Sequence, residues 1–205
     1  GWIAEVGFDG EFRFAAMVPG LHTDFEERAD GRIAALAWDL REVGAWKVLG
    51  DKVVVVETDG APRTLWSAFD TIEFDQNGSW AKGFYVADPD VADWTHVNSV
   101  SWTQDGEDLL LTMTAFSGVA RIDGALGETE WLYGDVVGDF PYSPTVVSAP
   151  HSAEQLDDGQ VLVFNRGEYS QHPLDACSWA AEVTFDAEAH SVTEAARWPG
   201  TECLL

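Results

Sequence analysis

The sequence predicts an all-β chain: a β-propeller of four-stranded antiparallel blades, of which about three and a half are present. Three observations carry this expectation. A single pattern recurs three times, namely a His, then an Asp-Gly pair, then a later Trp. The stretches between these marks read as short strands, about four to each recurrence of roughly 50–75 residues. Helical periodicity is weak throughout.

Taken in order, residues 1–20 read as the tail of a blade: Ile3-Ala4-Glu5-Val6, a turn at Asp9-Gly10, then Phe12-Arg13-Phe14. The unit 21–92 opens at His22-Thr23-Asp24, turns at Asp30-Gly31, and places strands at Arg32–Asp39, Lys52–Thr58 and Thr64–Trp66. Glu26–Ala37 has some helical character, but Asp30-Gly31 breaks it. The unit 93–148 opens at His96-Val97-Asn98 and turns at Asp105-Gly106. Its strands are Asp108–Thr114, Gly118–Asp123 and Thr129–Leu132. The unit 149–205 opens at His151-Ser152-Ala153, turns at Asp158-Gly159, and continues through Gln160–Asn165, Ala180–Phe185 and Thr193–Trp198. Asp-Gly suits the turns because Gly accepts positive φ at no steric cost and Asp bonds its own backbone two residues on.

All four units are expected to form one domain, 1–205. Propellers close with roughly four to eight blades, so three and a fraction leave an exposed edge. The expectation is that further blades lie outside this chain; closure by a second copy, as a homodimer, is the alternative. The opening Gly1-Trp2-Ile3, with no Met or leader pattern, and the ending Thr201-Glu202-Cys203-Leu204-Leu205 fit a piece of something longer. A two-sheet sandwich with accidental repeats is the competing fold.

Composition narrows the partners. Among 205 residues, 36 are acidic and 11 basic, for a formal charge of −25. That excludes a basic nucleic-acid groove, which needs a Lys/Arg footprint, and disfavours anionic membrane surfaces. The longest apolar runs, such as Val53-Val54-Val55-Val56, are far too short to span a bilayer. Few Lys and many carboxylates suit high salt or a secreted acidic protein alike. Cys177 and Cys203 fit either one disulfide in an oxidising compartment or two thiols.

The repeat-start histidines are the candidate chemistry. Equivalent positions of radial blades lie around one axis, so His22, His96 and His151 are expected to converge on a central pocket. A neutral imidazole is a nucleophile and, near pH 7, a general acid or base. Converging histidines also suit a metal, but the wide spacing supplies no ligand motif, and no metal site is assigned. His172 and His190 follow no repeat and are read as surface residues. Asp88-Pro89-Asp90-Val91-Ala92-Asp93 is read as a solvated loop, since it lacks the Gly and terminal Glu of a calcium loop. Asn77-Gly78-Ser79 matches a glycosylation sequon but reads more simply as a turn. The ten Trp are read mostly as blade-to-blade packing.

The ordered set formed by His96-Val97-Asn98-Ser99-Val100, Arg121-Ile122-Asp123, Gly127-Glu128-Thr129-Glu130-Trp131-Leu132-Tyr133-Gly134, His151-Ser152-Ala153 and Asp158 to Gly167 resembles the bacterial arylsulfate sulfotransferases. The likeness covers most of 93–170 and, more loosely, 20–66. It implies a six-bladed propeller that moves a sulfuryl group from a phenolic sulfate to a phenol through a sulfo-histidine, with no nucleotide donor and no cofactor. By the same likeness His151 falls on the nucleophile, His96 and Asn98 on the pair that contacts the sulfuryl group, and His22 on another axial His. Where the family carries an Arg after the His-x-Asn strand, this chain has Thr114 or a neighbour in Leu111-Thr112-Met113-Thr114-Ala115-Phe116; Arg166 is the candidate replacement charge. The implied partners are a small aryl sulfate and a phenol, and the implied location is periplasmic or extracellular. A binding propeller that lost turnover with that Arg is the alternative function.

Overall fold

A computed structural model describes residues 1–74, 81–82, 90–135, 137–167 and 178–199. Cys177, Cys203, His172 and Asn77-Gly78-Ser79 lie outside the described residues. The described chain is almost entirely strand and forms two compact units, Gly1–Trp94 and Thr95–Leu205.

In the first unit, β1 (Trp2–Val6) and β2 (Phe12–Met17) form an antiparallel hairpin. A meander follows, comprising β3 (Leu21–Glu27), β4 (Ile33–Val43), β5 (Trp46–Val56) and β6 (Pro62–Ser67). A single helical turn, α1 (Ala68–Thr71), is capped by the Ser67 hydroxyl, which accepts from the Phe69 N–H. Two short strands, β7 (Ala81–Lys82) and β8 (Val91–Asp93), complete the sheet; β8 lies parallel to β5, with Lys47 opposite Val91 and Leu49 opposite Asp93. The core joins Ile3, Ala16 and Val18 to Ile33, Ala35, Ala37, Val54 and Val56.

The second unit holds two four-stranded antiparallel meanders. One is β9 (Val97–Trp102), β10 (Asp108–Met113), β11 (Gly118–Asp123) and β12 (Thr129–Tyr133). The other is β13 (Pro150–Gln155), β14 (Val161–Asn165), β15 (Trp179–Asp186) and β16 (Ser191–Trp198). Their facing side chains make one core: Leu110, Val119, Trp131, Tyr133 and Phe140 from the first meander and its exit, against Ala153, Val161, Val163, Ala181 and Val183 from the second. Trp131 stacks on Phe185, with ring centroids 4.7 Å apart and planes 23° from parallel. Burying a ring of that size contributes about 2–3 kcal/mol.

The fold class is the expected one, all-β with four-stranded antiparallel blades. The Asp-Gly turns explain why. Five recur: Asp9-Gly10, Asp30-Gly31, Asp59-Gly60, Asp105-Gly106 and Asp158-Gly159, each glycine at positive φ. In each, the Asp carboxylate accepts the N–H two residues on, and the glycine N–H returns to the carbonyl three residues back. This is a type I turn closed by a left-handed residue, the three-residue hairpin loop. Glu26–Ala37 is accordingly two strands and a turn, with no helix.

Three details correct the sequence reading. The strands expected at Arg32–Asp39 and Lys52–Thr58 are longer, because β4 and β5 stay paired out to Val43 opposite Trp46, around a tight turn at Gly44. The stretch read as a solvated acidic loop ends instead in β8, with Val91, Ala92 and Asp93 all buried. Of the Trp residues closing each unit, Trp66 and Trp131 are buried but Trp198 is 49% exposed.

Candidate active site

Every four-stranded meander enters its first strand through an irregularity; His22 and His151 sit in theirs, and His96 lies two residues ahead of its own. Between Leu21 and Phe25 the β3–β4 register slips across His22, Thr23 and Asp24. Between Val97 and Ser99 it slips at Asn98, and between Pro150 and Ser152 it slips at His151. A bulge leaves one residue outside the ladder and re-aims its side chain. The backbone is strained at the same places. Thr23, His96 and Ala149 all have left-handed φ, at 47°, 49° and 44°. Each costs about 1–3 kcal/mol for a residue with a side chain, and such strain gathers where function holds it.

In the first unit His22 is held by its side chain. Its Nε2 lies 3.0 Å from Asp51 Oδ1, and both groups are almost fully buried. The ring stacks on Trp38, 5.6 Å between centroids, and its Nδ1 lies 2.8 Å from Thr23 Oγ1. The pair places a buried carboxylate oxygen beside the imidazole edge. Asp51 has no sequence signature: it falls in β5, far from any repeat mark.

In the second unit the main chain is what is held. Asn98 is buried; its Nδ2 donates to Thr114 Oγ1 at 2.5 Å and to the Pro150 carbonyl at 3.0 Å, while its Oδ1 accepts from Thr112 Oγ1 at 2.5 Å. Thr114 Oγ1 donates to the same Pro150 carbonyl at 3.0 Å. Ser117, itself left-handed at φ 46°, accepts the Ala149 N–H on its Oγ at 3.1 Å. From the other side, the Arg166 N–H reaches the Ala149 carbonyl at 3.2 Å, and Asn165 Oδ1 accepts from Ser148 N–H at 2.9 Å. The net worth of each bond is about 1 kcal/mol, so together they offset the strain at Ala149.

Further along, Ser101 Oγ donates to the Ala153 carbonyl, and Gln104 Nε2 to the Gln155 carbonyl. The offset from donor to acceptor stays at 51–52 residues along this seam. A constant offset means that β9 and β13 run side by side in the same direction, as first strands of neighbouring blades must.

The expected residues are therefore placed as follows. Asn98, Thr114 and the Pro150–His151 peptide come together at one corner. Arg166 sits beside it, at the end of β14, half-buried. His96 is buried two residues before Asn98, its carbonyl accepting the Thr114 N–H. His151 is exposed, and among the described residues no hydrogen bond or ion pair holds its ring. His22 belongs to the first unit, in its own strained corner. His190 is exposed, with Nδ1 3.1 Å from the Asp139 carbonyl. Sequence reasoning missed Ser117 and Ala149; the only signal is the Ser-Gly pair that opens β11. Among the described residues no three His, Cys, Asp or Glu side chains gather to hold a metal, and no helix is long and apolar enough to cross a membrane.

Against known proteins, residues 4–193 match the arylsulfotransferase (ASST) family. No curated protein matches the chain. Among solved structures, a protein from Lactobacillus plantarum matches 83% of this chain and 53% of its own, at 10% identity and a TM-score of 0.44. A protein from Bacteroides fragilis, provisionally described as a 6-phosphogluconolactonase, matches 84% of this chain and 69% of its own, at 14% identity and a TM-score of 0.33. The chain thus spans about half the length of the first of these structures.

Proposed function

The chain belongs to the arylsulfotransferase family, and on that premise we propose that it moves a sulfuryl group from a phenolic sulfate ester to a phenol, with His151 as nucleophile. In the first half, a neutral His151 ring nitrogen attacks the ester sulfur. The N–S bond forms, the S–O bond to the aryl group breaks, and its electron pair leaves on the phenol oxygen. His96 gives that oxygen its proton. In the second half, an acceptor phenol returns a proton to His96, its oxygen attacks the same sulfur, and the N–S bond breaks. The cycle balances without a nucleotide donor, a metal or a redox partner. Arg166, with protonated histidine, supplies positive charge to the anionic substrate in a chain that is otherwise strongly acidic. His22 of the first unit, beside Asp51, is the third candidate that the family likeness supplies. An exported location, periplasmic or extracellular, goes with this reading.

One observation carries the proposal: His151 is the bulged, outward residue of a strand entry whose backbone is strained and gripped on both sides. The test is turnover of a chromogenic aryl sulfate with phenol by the full-length protein. His151→Ala should abolish it and His190→Ala should not. Absence of turnover in the unaltered protein, or full turnover in His151→Ala, ends the proposal.

A second reading has its own observation. Residues 111–116 hold no cation where the family likeness implies an Arg, and the Thr114 hydroxyl within them is spent on a backbone carbonyl. A binding protein would then hold the aryl sulfate without cleaving it, which calorimetry on the same protein distinguishes.

A further inference from the structure

We infer that Thr114 and Ser117 are positioning residues: in one network with Asn98 they set the main chain that aims His151. The inference rests on the sulfuryl-transfer reading above. It begins from what each side chain has to give. A carboxamide has two N–H donors, and both from Asn98 are taken, by Thr114 Oγ1 and by the Pro150 carbonyl. Thr112 occupies the amide oxygen. A hydroxyl has one donor, and that of Thr114 goes to the same Pro150 carbonyl. In this network those donors are spent on the protein's own chain.

The network ends on two backbone atoms, and both bear on His151. The Pro150 carbonyl belongs to the peptide that leads into His151, and two donors from the neighbouring sheet fix its plane. The Ala149 N–H is fixed by Ser117 Oγ. Between them Ala149 is held left-handed, a conformation it would otherwise leave. His151 itself is the bulged residue, outside the β13–β14 ladder. Its direction is therefore set by the peptide before it more than by strand pairing. In-line attack on sulfur depends on that direction. The side chains of one blade thus aim the nucleophile of the next.

The test uses the full-length protein with an aryl sulfate and phenol. For Thr114→Val and Ser117→Ala, kcat should fall about 10- to 100-fold while KM stays within about two-fold, as expected for misalignment rather than lost binding. Thr114→Ser, which keeps the donor, should restore kcat to within about three-fold. A second readout does not need turnover: the NMR signals of the His151 ring should shift in Thr114→Val and not in the exposed control Thr193→Val. The Ala149 amide should exchange faster in Ser117→Ala. A raised KM with unchanged kcat in Thr114→Val would make its hydroxyl a substrate ligand and overturn the inference, as would unshifted His151 signals. If the unaltered protein forms no sulfo-adduct at His151, the functional reading fails, and the NMR and exchange results still decide whether these residues aim the ring.

Discussion

Two corners of the molecule carry a histidine at a strained strand entry, and they are held in opposite ways. In the first unit the imidazole is the anchored part: His22 is buried, paired with Asp51 and stacked on Trp38. In the second, the backbone before His151 is anchored and the ring projects outward. A buried, paired side chain has one orientation and supports its surroundings. A ring standing outside the ladder on a rigid peptide can reach a ligand and carry a covalent load. The difference teaches that equivalent places in a repeat need not do equivalent work.

The largest expected effect tests that contrast directly. His151→Ala should cut turnover by at least about 1000-fold. Its unfolding free energy should change by no more than about 0.5 kcal/mol, because the side chain is exposed. A large loss of stability in urea denaturation would make the two corners alike. Next comes Asp51→Ala, which takes the buried polar neighbour from beside the His22 ring and should cost about 2 kcal/mol. The same denaturation measures it, and a loss under about 1 kcal/mol would show that the contact does not hold its corner.

A smaller effect is expected at Tyr133. Its hydroxyl accepts the Ser143 N–H at 2.8 Å and donates to the Ser143 carbonyl at 3.0 Å, tying β12 to the segment that leads to β13. Tyr133→Phe keeps the ring against Phe140 and Phe185 and should cost about 1–2 kcal/mol. Calorimetric melting reads this out. A loss above that range would mean that the hydroxyl also steadies the His151 corner.

The smallest is a pH effect in the first unit. Burial works to raise the Asp39 carboxyl, but hydrogen bonds from Arg41 and Ser67 outweigh it and hold it below its ordinary value. A depressed carboxyl contributes stability that is complete above the unfolded value, near pH 4, and lost as pH falls through the folded one. Arg41 is 42% exposed on its side chain, so the contribution is under about 1 kcal/mol. Asp39→Asn should therefore melt slightly lower than the unaltered protein at pH 6, with the gap closing below about pH 4. A gap that stays constant with pH would remove the ionised pair from the account.

Much of this was legible in the residues. The strands bounded by Asp-Gly turns stood out because the turn needs a left-handed residue and a short acceptor side chain, and Asp-Gly supplies both. The outer reach of β4 and β5 did not, since Leu40-Arg41-Glu42-Val43 carries no clean alternation and its pairing depends on the partner strand. Nor did β8, whose parallel partner Lys47–Leu49 lies about forty residues away. At the site, His96 and His151 announced themselves by recurrence, and Asn98 by the family likeness. Ser117 and the Pro150 carbonyl did not, because a backbone acceptor leaves no mark in composition and a lone Ser resembles any other.

By itself, then, the sequence determined the class of fold, the repeat, the turn positions and which histidines open each unit. These are local matters, written in side-chain size, φ tolerance and two-residue alternation. Only the tertiary structure decided what each histidine is for. It placed Asp51 beside one, and it laid the amide and hydroxyls of Asn98, Thr114 and Ser117 on the backbone in front of another. Those contacts join residues about 30–50 positions apart along the chain, and a contact at that separation exists only once separate strands have come together.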